Sequence, residues 1–343
     1  LDAAREGVQQ DTLCFAPRLR ICDEHARKKG CRERQKIFEM RDTAADTSHA
    51  GRQADSGCAV TPFKTQLLKW VGNKQKFAHE IIGHFPQRFG TYYEPFLGSG
   101  AVLATLAPDK AVASDTFAPL VEIWRALSDD PEQLKSWYAA RYDLYMQGDR
   151  VQQYEAIKAA YNARPNGADF LFLTRSCYGG VVRFRKKDGY MSTPCGAHLP
   201  MKPASFNRRV DLWATRLSGT QFEQADYKDI LARARAGDLV YCDPPYGDSQ
   251  SILYGAQGFE IEELFTAIEG CKARGVFVAL SLDGTKKSGR HHCPVHVPER
   301  LFEQTIMVNL GRSMLRRFQM AGQSLEGEQV HDRLLLSYPK SAS

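Results

Sequence analysis

At 343 residues, 43% hydrophobic and 25% charged, the chain has the length and mix of an ordinary soluble globular protein with room for one large domain or two. No apolar run approaches a membrane span and no secretory leader pattern opens the chain, so a membrane role is excluded and the cytosol is the expected compartment. Nine scattered cysteines suit reduced thiols rather than a disulfide framework, and the net charge of +6 says little until its location is known.

Residues 1–62 are rich in charge, Ala and Gln and read as a flexible N-terminal extension, with "DTAADTSHAGRQADSG" (42–57) as a disordered linker. Cys14, Cys22, His25 and Cys31 show no paired C-x-x-C spacing, so no metal site is expected. From residue 63 the texture changes. "LLKWVGNKQKF" (67–77) places Trp70, Gly72 and Lys74 close together, although core and surface roles would account for them equally well.

Next come short apolar runs bounded by turn residues: "TYYEPF" (91–96), "KAVASD" (110–115), "DLVYCD" (238–243), "GVFVALSL" (275–282) and "RLLLSY" (333–338). Helical stretches such as 119–130 and 260–275 separate several of them. Strands alternating with amphipathic helices predict an α/β fold with a mostly parallel sheet covered on both faces. The sheet-forming residues divide into 63–127 and 236–343, with 128–235 as an inserted, mainly helical domain.

In such a sheet, ligands gather beyond the strands' C-terminal ends. "YYEPFLGSGAV" (92–102) puts Glu94, Phe96, Gly98, Ser99 and Gly100 there, yet lacks the Lys-Ser/Thr of a P-loop and the G-x-G-x-x-G of a dinucleotide site. Asp115 ends the next strand, where it could bond a ribose or cap the helix that follows. In "YCDPPY" (241–246), Pro244 and Pro245 must lie just past the last paired residue, which holds Asp243 and Tyr246 on a stiff elbow.

Between Phe170 and Leu217, nine Lys/Arg face two acids, an excess of seven, larger than that of the whole chain. "RSCYGGVVRFRKKDGYMSTPCG" (175–196) interleaves aromatics with cations and ends in turn residues that suit a hairpin. Such a patch is either a solvated surface or the electrostatic footprint of a polyanion.

In their order, "LKWVGNK", "EPFLGSG", "ASD", a basic insertion and "DPPY" resemble the Dam-like (D12 class, alpha group) DNA adenine-N6 methyltransferases over roughly residues 64–340, with "SLDGTKK" (281–287) and "VHDRLLLSY" (330–338) extending the likeness. The resemblance implies a Rossmann-like methyltransferase sheet and S-adenosylmethionine as cofactor, touched by Trp70, Lys74, Glu94, Phe96, Gly98, Ser99, Gly100, Asp115 and Asp243. It makes Asp243, Pro244, Pro245 and Tyr246 catalytic, with Asp243 and the Pro244 carbonyl accepting from the adenine amino group and Tyr246 stacking on the base. Double-stranded DNA is the implied partner, held by Arg175, Tyr178, Arg183, Arg185, Lys186, Lys187, Arg208 and Arg209 around a flipped-out adenine. The implied setting is a bacterial or phage enzyme acting on DNA in the cytoplasm, with a cognate restriction endonuclease as a further partner and oligomeric state left open.

This chain departs from the family pattern at Thr174-Arg175, Gly179-Gly180 and Ser192-Thr193-Pro194, which leaves the recognised DNA sequence open. Rival readings are methylation of RNA adenine, cytosine N4 or a protein glutamine, and a catalytically silent DNA-binding regulator. Asp before the prolines favours adenine, and the intact "DPPY" argues against silence.

Overall fold

The computed structural model describes residues 60–245, 259–286, 291–292, 295–312 and 329–339. Contacts divide the chain into Leu1–Cys58 and Ala59–Ser343. The first unit, with Cys14, Cys22, His25 and Cys31 and most of the expected extension, lies outside the described residues, as does Tyr246.

In chain order the second unit runs α1 (Ala78–Ile82), β1 (Tyr92–Glu94), α2 (Ala101–Leu106), β2 (Ala111–Asp115), α3 (Ala118–Asp129), α4 (Pro131–Tyr145), α5 (Arg150–Ala163), α6 (Gly167–Ser176), α7 (Pro203–Arg216), β3 (Thr220–Gln224), α8 (Tyr227–Arg233), β4 (Leu239–Cys242), α9 (Ile261–Ala273), β5 (Phe277–Lys286), β6 (His291–His292), β7 (Gln304–Arg312) and β8 (Gln329–Leu336). One sheet takes the order β3-β2-β1-β4-β5-β8-β7, with β6 on β5. The pairs from β3 to β5 are parallel, and β8 runs antiparallel to both its neighbours. This is the α/β sheet that the alternation of strands and helices predicts.

The strands read as unbroken apolar runs because both of their faces are buried. Tyr92, Ala111, Ala113, Leu239, Tyr241 and Ala279 pack into one core, while Tyr93, Val112, Val240, Cys242, Val278 and Leu280 pack into the other. That is period-two alternation between two buried layers. β4 stops at Cys242, one residue before the Asp243-Pro244-Pro245 elbow, because consecutive prolines offer the ladder no donors.

Helices α4, α5 and α6 start where short polar side chains satisfy their free N–H groups. Asp130 caps α4 through Gln133 N (3.1 Å), Asp149 caps α5 through Gln152 N (2.9 Å), and Asn166 caps α6 through Asp169 N (2.8 Å). No described helix is long and apolar enough to cross a membrane.

The structure corrects one boundary and the separateness of the insertion. The insertion ends before residue 220 rather than at 235, since β3 pairs with β2 from Ala111↔Thr220 to Asp115↔Gln224 and α8 follows it. Nor do the inserted helices form a separate body. Trp124 of α3 packs against Trp213 of α7 at 5.5 Å and stacks on Phe222 of β3 at 5.9 Å, so helices and sheet face share one aromatic core.

Candidate active site

The strand order reverses between β1 and β4, and a cavity of about 270 Å³ opens over the C-terminal ends there. Each of the first four strands delivers an acid to its wall: Glu94 at the end of β1, Asp115 at the end of β2, Asp226 just past β3 and Asp243 just past β4. Residues far apart in the sequence meet because parallel strands all end on the same side.

The glycine loop forms one side. Gly98 and Gly100 adopt φ of +47° and +62°, a region costly for residues with a Cβ. A Cβ on Gly98 would stand 3.0 Å from the Trp70 indole nitrogen, and one on Gly100 would stand 3.1 Å from the Trp124 ring. The loop is pinned from both directions. Trp124 Nε1 donates to the Gly98 carbonyl (3.2 Å), and the Gly98 N–H donates to Asp115 Oδ2 (3.1 Å). Phe117 N–H donates to Asp115 Oδ1 (3.0 Å). Asp115 therefore clasps the glycine loop to the end of β2 instead of capping α3, whose N-cap is Phe117. Burial raises its pKa, and the donations from Phe117 and Gly98 oppose that rise. Gly100 stands behind the wall as the N-cap of α2.

Glu94 is fully buried and accepts from the Tyr92 hydroxyl at 2.7 Å. Burial pushes its carboxyl up to about 8; the Tyr92 bond opposes that, and the nearby Asp243 adds to it. The protonated form of this acid is thereby favoured toward neutral pH. Opposite it, the buried ammonium of Lys74 lies 2.9 Å from Asp243 Oδ1 and 3.2 Å from Asp332 Oδ2. Lys74 lines the cavity, as expected, but spends its charge on two carboxylates.

The far wall is aromatic. Phe96 stacks on Tyr227 at 5.1 Å and meets Phe259 edge-on at 5.8 Å. Asp226, which caps α8 through Lys228 N (2.8 Å), stands beside Tyr227. Sequence reasoning missed Asp226, Tyr227 and Phe259, and also missed Asp332. The available signal for the first pair was "QADY" after a strand, but "TQFEQ" carries too little apolar character to be read as that strand. Trp70, Lys74, Glu94, Phe96, Gly98, Ser99, Asp115, Asp243 and Pro245 all reach the one cavity.

The basic segment is a hairpin over 177–196. Cys177 faces Cys195 and Phe184 faces Met191 across antiparallel bridges. Tyr178, Arg183, Arg185, Lys186 and Lys187 are exposed on it, with Arg185 paired to Asp188 (2.8 Å) and lying over the Tyr190 ring (4.2 Å). Arg208 is exposed on α7.

Two expected members of this surface are corrected. Arg175 turns inward to donate to the Leu67 carbonyl (2.6 Å) beside Phe206, and Arg209 donates to the Gln66 carbonyl (2.6 Å). With Trp213 Nε1 on the Thr65 carbonyl (3.0 Å), they strap three successive peptides of the segment that leads to Trp70 and Lys74. An extended segment leaves its carbonyls unpaired, and these inserted side chains satisfy them.

A family model described as D12 class N6 adenine-specific DNA methyltransferase matches residues 70–288. The DNA adenine methylase of Vibrio cholerae is 26% identical over 240 residues, covering 65% of this chain and 83% of that one. A type II methyltransferase of Lactococcus lactis subsp. cremoris is 26% identical over 236 residues (63% and 80%), and the DNA adenine methylase of Escherichia coli K12 is 25% identical over 226 residues (63% and 79%). A solved rRNA methyltransferase of Streptomyces viridochromogenes superimposes at a TM-score of 0.31 and 13% identity over 84% of this chain and 95% of that one, too loose a likeness to carry weight.

Proposed function

The chain belongs to the D12 class N6 adenine-specific DNA methyltransferase family, so its reaction is methylation of adenine N6 in DNA, and from that premise we propose that the strand-end cavity takes S-adenosylmethionine and that the 177–196 hairpin grips duplex DNA around an extruded adenine. The observation that carries this reading is the convergence of four strand-end acids, a glycine loop and an aromatic wall on one cavity. This donor set fits a cation bearing a ribose and a purine. It does not fit a phosphate ligand, because the lining cations Lys74 and Lys228 are paired with Asp243 and Glu263.

In this reading the cofactor supplies an electrophilic methyl group on a sulfonium. Trp70 and the Gly98–Gly100 loop shape its methionine end, Asp115 accepts from the ribose, and Phe96 and Tyr227 offer apolar surface to its purine, with Asp226 as an acceptor beside them. Adenine N6 is a poor nucleophile because its lone pair is delocalised into the ring. Asp243 and the Pro244 carbonyl accept its two N–H bonds, which shifts electron density to nitrogen and stabilises the positive charge that develops there. The proline elbow fixes both acceptors, and Lys74 holds one oxygen of Asp243 in place. The stacking role expected for Tyr246 falls on a residue outside the described ones. A base inside a duplex cannot reach this cavity, so it is flipped out while the hairpin cations hold the phosphates.

Expression in a host without adenine methylation, followed by sequencing that reports modified bases and their flanks, tests the whole reading. N6-methyladenine in one fixed context is the expected result; modified cytosine, or none, would refute it.

Glu94 gives a second, independent readout. A cation bound beside it favours its ionised form and lowers its pKa from about 8, so cofactor binding near pH 7 should release close to one proton. The sign follows: affinity rises with pH up to about 8 and then levels. Calorimetry in buffers of different ionisation enthalpy measures the release, which Glu94→Gln should abolish. Binding by the wild type without proton release would remove Glu94 from the cation's side.

A further inference from the structure

We propose that Asp332, on the antiparallel strand β8, is a positioning residue for methyl transfer: it draws off the Lys74 ammonium so that Asp243 keeps a full negative charge toward the adenine amino group. The inference rests on the function proposed above and gives a role to a residue that the sequence reading quotes within "VHDRLLLSY" without assigning it one.

Asp332 occupies a costly place. Along β8 it shares a face with Leu334 and Leu336, both buried in the core that contains Tyr92 and Tyr241, and its side chain is 4% exposed. Burying a carboxylate on an apolar strand face is costly and a buried ion pair adds little net stability, so stability alone gives little reason for it. What it touches is Lys74, at 3.2 Å, whose Nζ is at the same time 2.9 Å from Asp243.

Charge counting gives the consequence. A Lys74–Asp243 pair by itself sums to zero, and its ammonium would pull on the carboxylate that must act as acceptor. With Asp332 included, the three groups carry one net negative charge. That suits a site receiving a cationic donor and an amine that becomes positive as the methyl arrives. The ammonium donates a hydrogen bond to Asp243 and stands within ion-pair distance of Asp332 Oδ2, so both carboxylates draw on one cation. Removing the Asp332 charge turns the ammonium more strongly toward Asp243. The acceptor is weakened and the cavity loses one negative charge, whereas the DNA-gripping hairpin is unaffected.

The test uses the full chain, labelled S-adenosylmethionine and genomic DNA from a methylation-free host, with kcat normalised to cofactor-binding sites so that loss of folded protein does not register. Asp332→Asn should lower kcat by about 10-fold or more, with cofactor affinity changed by no more than a few-fold and the KM for DNA unchanged, and Asp332→Glu should recover part of the loss. In a cycle with Lys74→Met, the double variant should be no slower than Lys74→Met alone, because Asp332 acts only through the ammonium. If Lys74→Met does not fold, the contrast between Asp332→Asn and Asp332→Glu decides. Unchanged kcat in Asp332→Asn, or losses that multiply in the double variant, overturns this role while leaving the proposed function standing. A wild type that labels no adenine overturns both.

Discussion

Asp243→Ala is expected to lower the rate of methyl transfer by about 10³-fold or more while cofactor affinity changes by no more than a few-fold. Removing one preorganised group that stabilises transition-state charge costs on the order of 10²–10³ in other enzymes. Asp243 carries more than that, because it both orients the amino group and balances the charge appearing on nitrogen. Cofactor binding is spared because the glycine loop, Asp115 and the Phe96–Tyr227 wall are held by bonds that do not involve residue 243. Lys74 keeps Asp332 as a partner, so the buried ammonium is not stranded. Asp243→Asn, which preserves shape and one acceptor, should fall between the two. Labelled-methyl transfer and calorimetric cofactor binding measure the pair of quantities, and parental rates in Asp243→Ala would end the assigned role.

Replacing Arg185, Lys186 and Lys187 together with Ala should weaken DNA binding by about 10- to 100-fold near 0.15 M salt and flatten its salt dependence. Each phosphate that the protein no longer neutralises takes about 0.9 off the slope of log K against log salt. Lys186 and Lys187 are exposed on the hairpin, whereas Arg185 is already paired with Asp188 and lies over Tyr190. The slope should therefore fall by the equivalent of nearer two phosphates than three. Replacing Arg175 or Arg209 should leave the slope alone, because each guanidinium is committed to a backbone carbonyl inside the fold. Salt titrations of binding to duplex DNA separate the two groups, and an unchanged slope in the triple variant would remove the hairpin from the interface.

Much of this was legible in the chain itself because the signals are local. β1, β2 and β4 appear as apolar runs, since burial on both faces requires it, and the prolines after Asp243 mark where β4 must stop. Gly98 and Gly100 are required by a left-handed backbone pressed against two tryptophans. β3 escaped because its only strongly apolar residue is Phe222, and with β3 went Asp226 and Tyr227.

Backbone chemistry and short spacing suffice to read the acids that end β1, β2 and β4 and the stiffness of the elbow straight from the chain. Which groups meet was settled by the folding of distant segments onto one another. Lys74 and Asp243 are 169 positions apart, and Asp332 joins them only because β8 inserts antiparallel beside β5. The direction of an arginine was equally beyond local reading. Arg175 and Arg185 look alike in a basic stretch, yet one is drawn inward by an unpaired carbonyl of a distant segment and the other stands in water. Charge is a property of the residue, but where it points is set by which buried polar groups the rest of the fold leaves to be satisfied.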